Sequence, residues 1–288
     1  DDESCESHEK GIYETTDYDG NPTYYYRGSV ENNYVKFAGF YWRIVRINSN
    51  GSIRMIYDGT SVHSNGEVSE DRQYGTSQFN SVNDDNMYVG YMYTSGEAHG
   101  TGTSSVIKTN VDKFYTDKLS SYASKLDINT SFCGDRSTLN LQSGVGTGKV
   151  ITYNQGYLRV VASTPTLTCE NENDYYTVSN ATSGNKKLSY PIGLITVDEM
   201  MYGGYAGGIF DGGFNQMKVN KKGYLTTGNI FWTMTPAGGY NPFKYNNWDA
   251  YVFGVNVSGA FDDNYPPNAR GLRPVINIRS DVTITGNG

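Results

Sequence analysis

The sequence is short of most features that mark a nucleic-acid binder, a membrane protein or a redox enzyme. Charged side chains make up 18 % of its 288 residues, below the customary quarter, and no run of Lys or Arg occurs anywhere. A formal charge of −7 and a pI near 5.0 argue against phosphate backbones and anionic headgroups as main partners. No stretch reaches the roughly 18 apolar residues of a membrane span, so no span is expected in this chain. The three cysteines (Cys5, Cys133, Cys169) lack CxxC spacing, and the three histidines (His8, His63, His99) are scattered. Metal, redox and triad chemistry therefore have no recognisable constellation to work with.

What is present in quantity is glycine (34) and tyrosine (26), a mixture that suits short strands, tight turns and polar loops carrying rings. The chain is long enough to bury a sizeable core. It opens on Asp1, Asp2 and Glu3, which reads as a processed or engineered start from which an export signal or anchor was removed; the alternative, disfavoured by the tyrosine-rich, lysine-poor composition, is a cytosolic protein with an acidic N-terminus. Cys133 and Cys169, each followed by a polar loop, form the best disulfide pairing, with three free buried thiols as the alternative; Cys5 is left over.

Residues 1–22 read as a polar, loosely held segment ending in the turn Asp19-Gly20-Asn21-Pro22. Asp17, Asp19 and Asn21 have the opening spacing of a calcium loop, but the glycine is misplaced and no bidentate Glu follows, so a turn is expected. Tyr41 to Ile47 and Ser52 to Tyr57 flank Asn50-Gly51 and predict a hairpin with a type I′ turn. Arg43, Arg46 and Arg54 on it either keep one face wet or pair with acidic neighbours. Residues 58–104 read as a long polar insertion. Ile107, Val111, Phe114, Tyr115, Leu119, Tyr122 and Leu126 recur at helical spacing and predict one amphipathic helix from Val106 to Leu126. Residues 132–187 read as a second, loop-rich insertion. Within it, Val145-Gly146-Thr147-Gly148-Lys149 is a hairpin turn and no phosphate loop, because the leading glycine and the following Ser or Thr are missing. Thr196-Val197-Asp198-Glu199 is a capping box opening a second helix, which Gly203-Gly204 ends. Strands return at Ile230–Met234, Ala250–Val257 and Pro274–Ile278.

Tyr41-Trp42-Arg43-Ile44-Val45, Phe132-Cys133-Gly134-Asp135-Arg136, Cys169, Tyr190-Pro191-Ile192-Gly193-Leu194-Ile195-Thr196, Phe231-Trp232-Thr233-Met234-Thr235-Pro236 and Gly271-Leu272-Arg273-Pro274-Val275-Ile276 follow one another in a telling order. In that order the chain, over roughly residues 24 to 283, resembles a bacterial surface-domain family of gut Firmicutes. That family is related to the C-type-lectin-like and formylglycine-generating-enzyme-like folds, and some members carry a pilin-type leader. The resemblance implies an α+β C-type-lectin-like domain over residues 23–288, with a twisted antiparallel sheet, two helices and insertions at 58–104 and 132–187. It also implies that the N- and C-terminal strands pair. Trp42 would fill the core, and Arg273 would bond carbonyls or a carboxylate through its planar fork.

The catalytic relatives use a cysteine pair near the end of the domain, and this chain has no cysteine after Cys169; the expectation is a non-enzyme without a cofactor. Other relatives display a variable, ligand-binding loop surface, some diversified by retroelements, in the stretch matching Gly238 to Arg270. Here that stretch carries Tyr240, Tyr245, Asn246, Asn247, Trp248, Asp249, Asp262, Asp263, Asn264 and Tyr265, the rings and amides favoured in paratopes and on sugar-binding surfaces. Tyr251 and Phe253 are assigned to the core. Asn247-Trp248-Asp249 and Pro266-Pro267-Asn268 echo lectin calcium triplets only in scrambled form, so no lectin-type metal is expected; a loop cation at Asp262 and Asp263 stays open. The expected role is an extracellular, cell-surface, adhesin- or receptor-like module for a protein or glycan ligand. The alternative is a structural or minor subunit of a pilus-like filament.

Overall fold

Residues 10–17, 19–139, 152–205, 222–240 and 249–283 are described by the structure, a computed structural model. The polar start of the chain is more ordered than its composition suggests. β1 (Gly11–Thr16) runs antiparallel to β2 (Pro22–Arg27), with Ile12 opposite Tyr26 and Glu14 opposite Tyr24. Tyr25 leans on Tyr202, ring centroids 4.8 Å apart, so aromatic packing compensates for the scarcity of aliphatic residues. The turn between the strands is the expected one. Asp17 Oδ1 accepts the backbone N–H of Asp19 and of Asn21, at 3.0 and 2.9 Å, which closes an Asx-type turn.

β3 (Tyr34–Phe37), β4 (Phe40–Ile47) and β5 (Ile53–Tyr57) follow, and β4 and β5 are the predicted hairpin. Its turn differs from the two-residue type I′ expected. Asn48 and Ser52 close the loop through Asn48 N–H to the Ser52 carbonyl at 2.8 Å, and Gly51 N–H bonds the Asn48 carbonyl at 2.8 Å. Gly51 has φ 78° while Asn50 stays at negative φ, the pattern of a type I turn followed by one left-handed glycine.

The stretch read as a polar insertion at 58–104 is built into the core. β6 (Thr76–Ser77), β7 (Met92–Tyr93) and β8 (Thr103–Ser104) are short, but Phe79, Val89 and Tyr91 are fully buried. Helix α1 (Val106–Phe114) is capped by the Ser105 hydroxyl. The predicted helix continues only in altered windings, a π turn over Tyr115–Leu119 and a 3₁₀ segment over Ser120–Lys125. Then come β9 (Phe132–Cys133), β10 (Thr152–Tyr153), α2 (Gln155–Ala162), β11 (Tyr175–Tyr176), β12 (Ile192–Gly193) and α3 (Val197–Tyr202). Helix α2 corrects the two-helix expectation, falling where a loop-rich insertion is read. In α3 the capping box is present: the Thr196 hydroxyl accepts the Glu199 N–H, and Glu199 Oε2 accepts the Thr196 N–H, both at 3.1 Å. The Val145–Lys149 segment lies outside the described residues.

β13 (Phe231–Tyr240), β14 (Asp249–Val255), β15 (Phe261–Asn264), β16 (Arg270–Gly271) and β17 (Val275–Ile278) complete the fold. The architecture is mixed α+β, with two principal sheets among the described residues where one central sheet is expected. The first is seven-stranded, β1-β2-β4-β5-β17-β12 with β3 beside β4; the second is six-stranded, β15-β14-β13-β16-β6 with β10 beside β13. β17 pairs with β5 and β12, whereas β1 pairs with β2, so the expected pairing of N- and C-terminal strands is not found among the described strands.

Trp42 and Trp232 are fully buried in one continuous core. Trp42 donates its indole N–H to the Phe37 carbonyl at 3.0 Å and meets Tyr57 and Phe114 edge-on. The hairpin arginines do not lie on a wet face; they enter buried ion clusters. Asp58, fully buried, receives Arg43, Arg72 and Arg273, with N–O distances of 3.3, 2.9 and 2.8 Å. The excess positive charge is met by carbonyl oxygens: Arg273 donates to those of Tyr57 and Leu225, and Arg72 to those of Ser64 and Glu67. Glu199 similarly holds Arg46 and Arg54 at 3.1 and 2.5 Å. Cys133 is disulfide-bonded to Cys169, with Cα atoms 5.7 Å apart, which staples β9 to the segment after α2; Cys5 lies outside the described residues. Among the described residues no helix is long and apolar enough to cross a membrane.

Candidate functional site

The second sheet ends in an aromatic and acidic face built by β10, α2, β14 and β15. Its position depends on a close approach. Gly156, in the first turn of α2, lies so near β13 that a Cβ there would come within 2.3 Å of Thr235 Cγ2. Only glycine lets the helix sit this tightly on the sheet. Asn154, just before α2, donates its side-chain amide to the Arg136 carbonyl at 2.9 Å. Arg136 is itself held by buried Asp174, so the entry to the helix is fixed from below.

With α2 in place, Tyr157 stacks on Tyr153, centroids 4.5 Å apart at 29°, and lies parallel to Phe253 at 6.4 Å. The β14–β15 register puts Phe253 opposite Asp263 and Val252 opposite Asn264. Strand alternation then sends Asp249, Tyr251 and Phe253 to the same face as Asp263 and Tyr265. Tyr251 donates its hydroxyl proton to the Tyr265 hydroxyl oxygen at 3.0 Å, and their rings are 4.7 Å apart. Asp249 Oδ1 accepts from the Asn83 amide at 3.0 Å.

The electrostatics of this face are unusual for a surface. Burial, reinforced by the charge of neighbouring Asp262, pushes the Asp263 carboxyl up to about 6. Burial, with Tyr153 and Asp263 adding to it, pushes the Tyr157 hydroxyl up to about 12. Tyr251 moves in the same direction, from burial and from its bond to Tyr265. The result is a set of flat rings beside a carboxyl that exchanges its proton close to neutrality. Such a face can stack on an apolar surface and both donate and accept hydrogen bonds.

The residues expected from the sequence divide among three fates. Asp249, Asp263 and Tyr265 come together on this face. Asp262 and Asn264 point to the opposite one, where buried Asn264 Oδ1 accepts from Arg270 Nε at 2.8 Å and the Arg270 charge opposes the burial that raises Asp262. Tyr240 ends β13, paired with Asp249; Tyr245, Asn246, Asn247 and Trp248 lie outside the described residues. Tyr251 and Phe253 are buried. Tyr153, Tyr157 and Asn83 are absent from the sequence expectation. The signal for the first two was the i, i+4 spacing of tyrosines across a helix start. Trp42 and Arg273 are both completely buried and contact protein groups as described above.

Comparison of the chain with protein-family models, with curated proteins and with solved structures finds no match in any of the three.

Proposed function

We propose that this chain is an extracellular, surface-displayed binding module, non-catalytic, presenting the Tyr153–Tyr157–Asp263–Tyr265 face to a glycan or protein ligand on a C-type-lectin-like scaffold. The observation that carries this reading is Asp263. A carboxyl held partly buried beside Asp262 and two stacked tyrosines works against stability, and such groups concentrate where a protein binds or reacts. The flat tyrosine faces suit the C–H faces of a sugar ring or the side chains of a peptide, and the carboxyl supplies orientation. The Cys133–Cys169 disulfide supports an oxidising compartment.

A glycan array, followed by calorimetric titration of any captured glycan, tests the reading. Tyr157→Ala and Asp263→Ala are expected to lose at least tenfold in affinity with little loss of thermal stability; unchanged affinity in both removes the assignment. A second reading, a structural or minor subunit of a pilus-like filament, is favoured by the exposed Ile12 and Tyr24 on the β1–β2 hairpin. Immunogold labelling of producing cells separates the two: continuous label along filaments supports the subunit, scattered envelope label the binding module.

A further inference from the structure

β1 is an edge strand. Among the described strands it has β2 on one side and no strand on the other. Proteins commonly blunt such an edge with proline, lysine or a bulge. β1 reads Gly-Ile-Tyr-Glu-Thr-Thr and carries none of these, and its register with β2 is unbroken from Gly11 to Thr16. Ile12 is 57 % exposed, the adjacent strand adds Tyr24 at 41 %, and Lys10 and Glu14 on either side of Ile12 are exposed too. Ile12 and Glu14 share one face of the sheet, and Lys10 continues the same alternation.

We infer that two copies of this chain pair through the outer edges of β1, antiparallel, about a two-fold axis passing between the two Ile12 residues. The sequence is self-complementary in this register. Ile12 meets Ile12 of the second copy, and Lys10 meets Glu14 and Glu14 meets Lys10 on the same face, giving opposite charges directly across the seam. On the other face Gly11 lies opposite Tyr13, whose ring can cover the bare glycine backbone. Moving the axis to Tyr13 puts Ile12 against Glu14; moving it to Glu14 sets two carboxylates face to face. Charge and apolar pattern therefore select one register of the three. An isologous contact of this kind closes on itself, so it predicts a dimer, which competes with the filament reading for the same Ile12 and Tyr24 surface. The inference does not depend on the ligand face, which lies on the other sheet.

Sedimentation equilibrium of the full chain over a micromolar to millimolar range tests it. The expected result is a concentration-dependent approach to twice the 31.9 kDa chain mass. Glu14→Lys, an exposed change, should weaken association at least tenfold, and Lys10→Glu with Glu14→Lys should restore it. In a Cys5→Ser background, oxidation of Ile12→Cys should give a covalent dimer and Glu14→Cys should not, since Glu14 faces Lys10. A strictly monomeric wild type, association indifferent to Glu14→Lys, failed restoration by the charge swap, or equal cross-linking of both cysteine variants each overturns the pairing. Circular dichroism of Glu14→Lys establishes that a loss of association is not a loss of fold.

Discussion

Asp58 and Arg273 meet at 2.8 Å across 215 positions of sequence, and neither side chain exposes any surface. The same carboxylate also holds Arg43 and Arg72. One short contact thus ties the start of the segment after β5 to the strand that closes the first sheet. Such a carboxylate is poorly replaceable, because the cations around it have no route to water.

Asp58→Ala should therefore destabilise the chain by about 3–5 kcal/mol, visible as a fall in Tm or an inability to fold. Arg273→Ala leaves Asp58 with two arginines and should cost less. A denaturant series that ranks Arg273→Ala as the more damaging of the two contradicts the assignment of Asp58 as the hub.

The raised carboxyl of Asp263 fixes a pH dependence. A group whose folded pKa lies above its unfolded value favours folding when protonated. The advantage is complete below about 4, the unfolded range, and declines as pH rises toward the folded value of about 6. The difference corresponds to at most about 3 kcal/mol, less after solvent screening. Asp263→Asn should be more stable than wild type at pH 7 and equal to it near pH 4. Parallel stability curves for the two proteins across this window would remove the argument.

The Cys133–Cys169 bond closes 36 residues of separation, a loop worth about 4 kcal/mol in the chain-entropy account. Cys133→Ser with Cys169→Ser, or dithiothreitol on the wild type, should lower Tm by roughly 6–7 °C. Calorimetry in both redox states measures it, and coincident melts would leave the staple without a stabilising role.

Gly156 offers a test that links packing to the ligand face. Gly156→Ala sets a methyl against Thr235 Cγ2 and should cost about 1–3 kcal/mol while displacing Tyr157. Adding Thr235→Ser removes that carbon and keeps the hydroxyl, which accepts the Val197 N–H at 3.1 Å. The double variant should recover most of both stability and ligand affinity. Recovery of neither would place the effect elsewhere.

Local signals in the sequence proved readable where a few adjacent residues decide the outcome. Asn50-Gly51 announces the hairpin, Thr196-x-x-Glu199 the helix start, and the polar surroundings of Cys133 and Cys169 their pairing. Turn subtype was not readable, since Asn48 and Ser52, outside the dipeptide, close the loop. For the arginines at 43, 46 and 54 the sequence left a wet face and pairing with acidic neighbours both open; the pairing holds, but its partners Asp58 and Glu199 are identified only by tertiary contacts. The segment 58–104 looked like an insertion because its buried Phe79, Val89 and Tyr91 follow no strand or helix period. For the candidate site, the β14–β15 strands were evident, but the division of Asp262 and Asp263 between two faces needs the register. Tyr153 and Tyr157 were hidden because β10 and α2 fall in the stretch read as a loop-rich insertion.

β17 is the last of the described strands in sequence, yet it takes a place between β5 and β12, and Arg273 just before it reaches Asp58. A chain stopped short of residue 273 holds Asp58 without one of its three arginines and leaves the facing edges of β5 and β12 without β17. Its first sheet stays open between β5 and β12 until that strand is present. Fragments ending before residue 273 should stay open to proteases, and resistance should rise abruptly once residue 278 has been added, because a single late strand joins the two halves of the sheet.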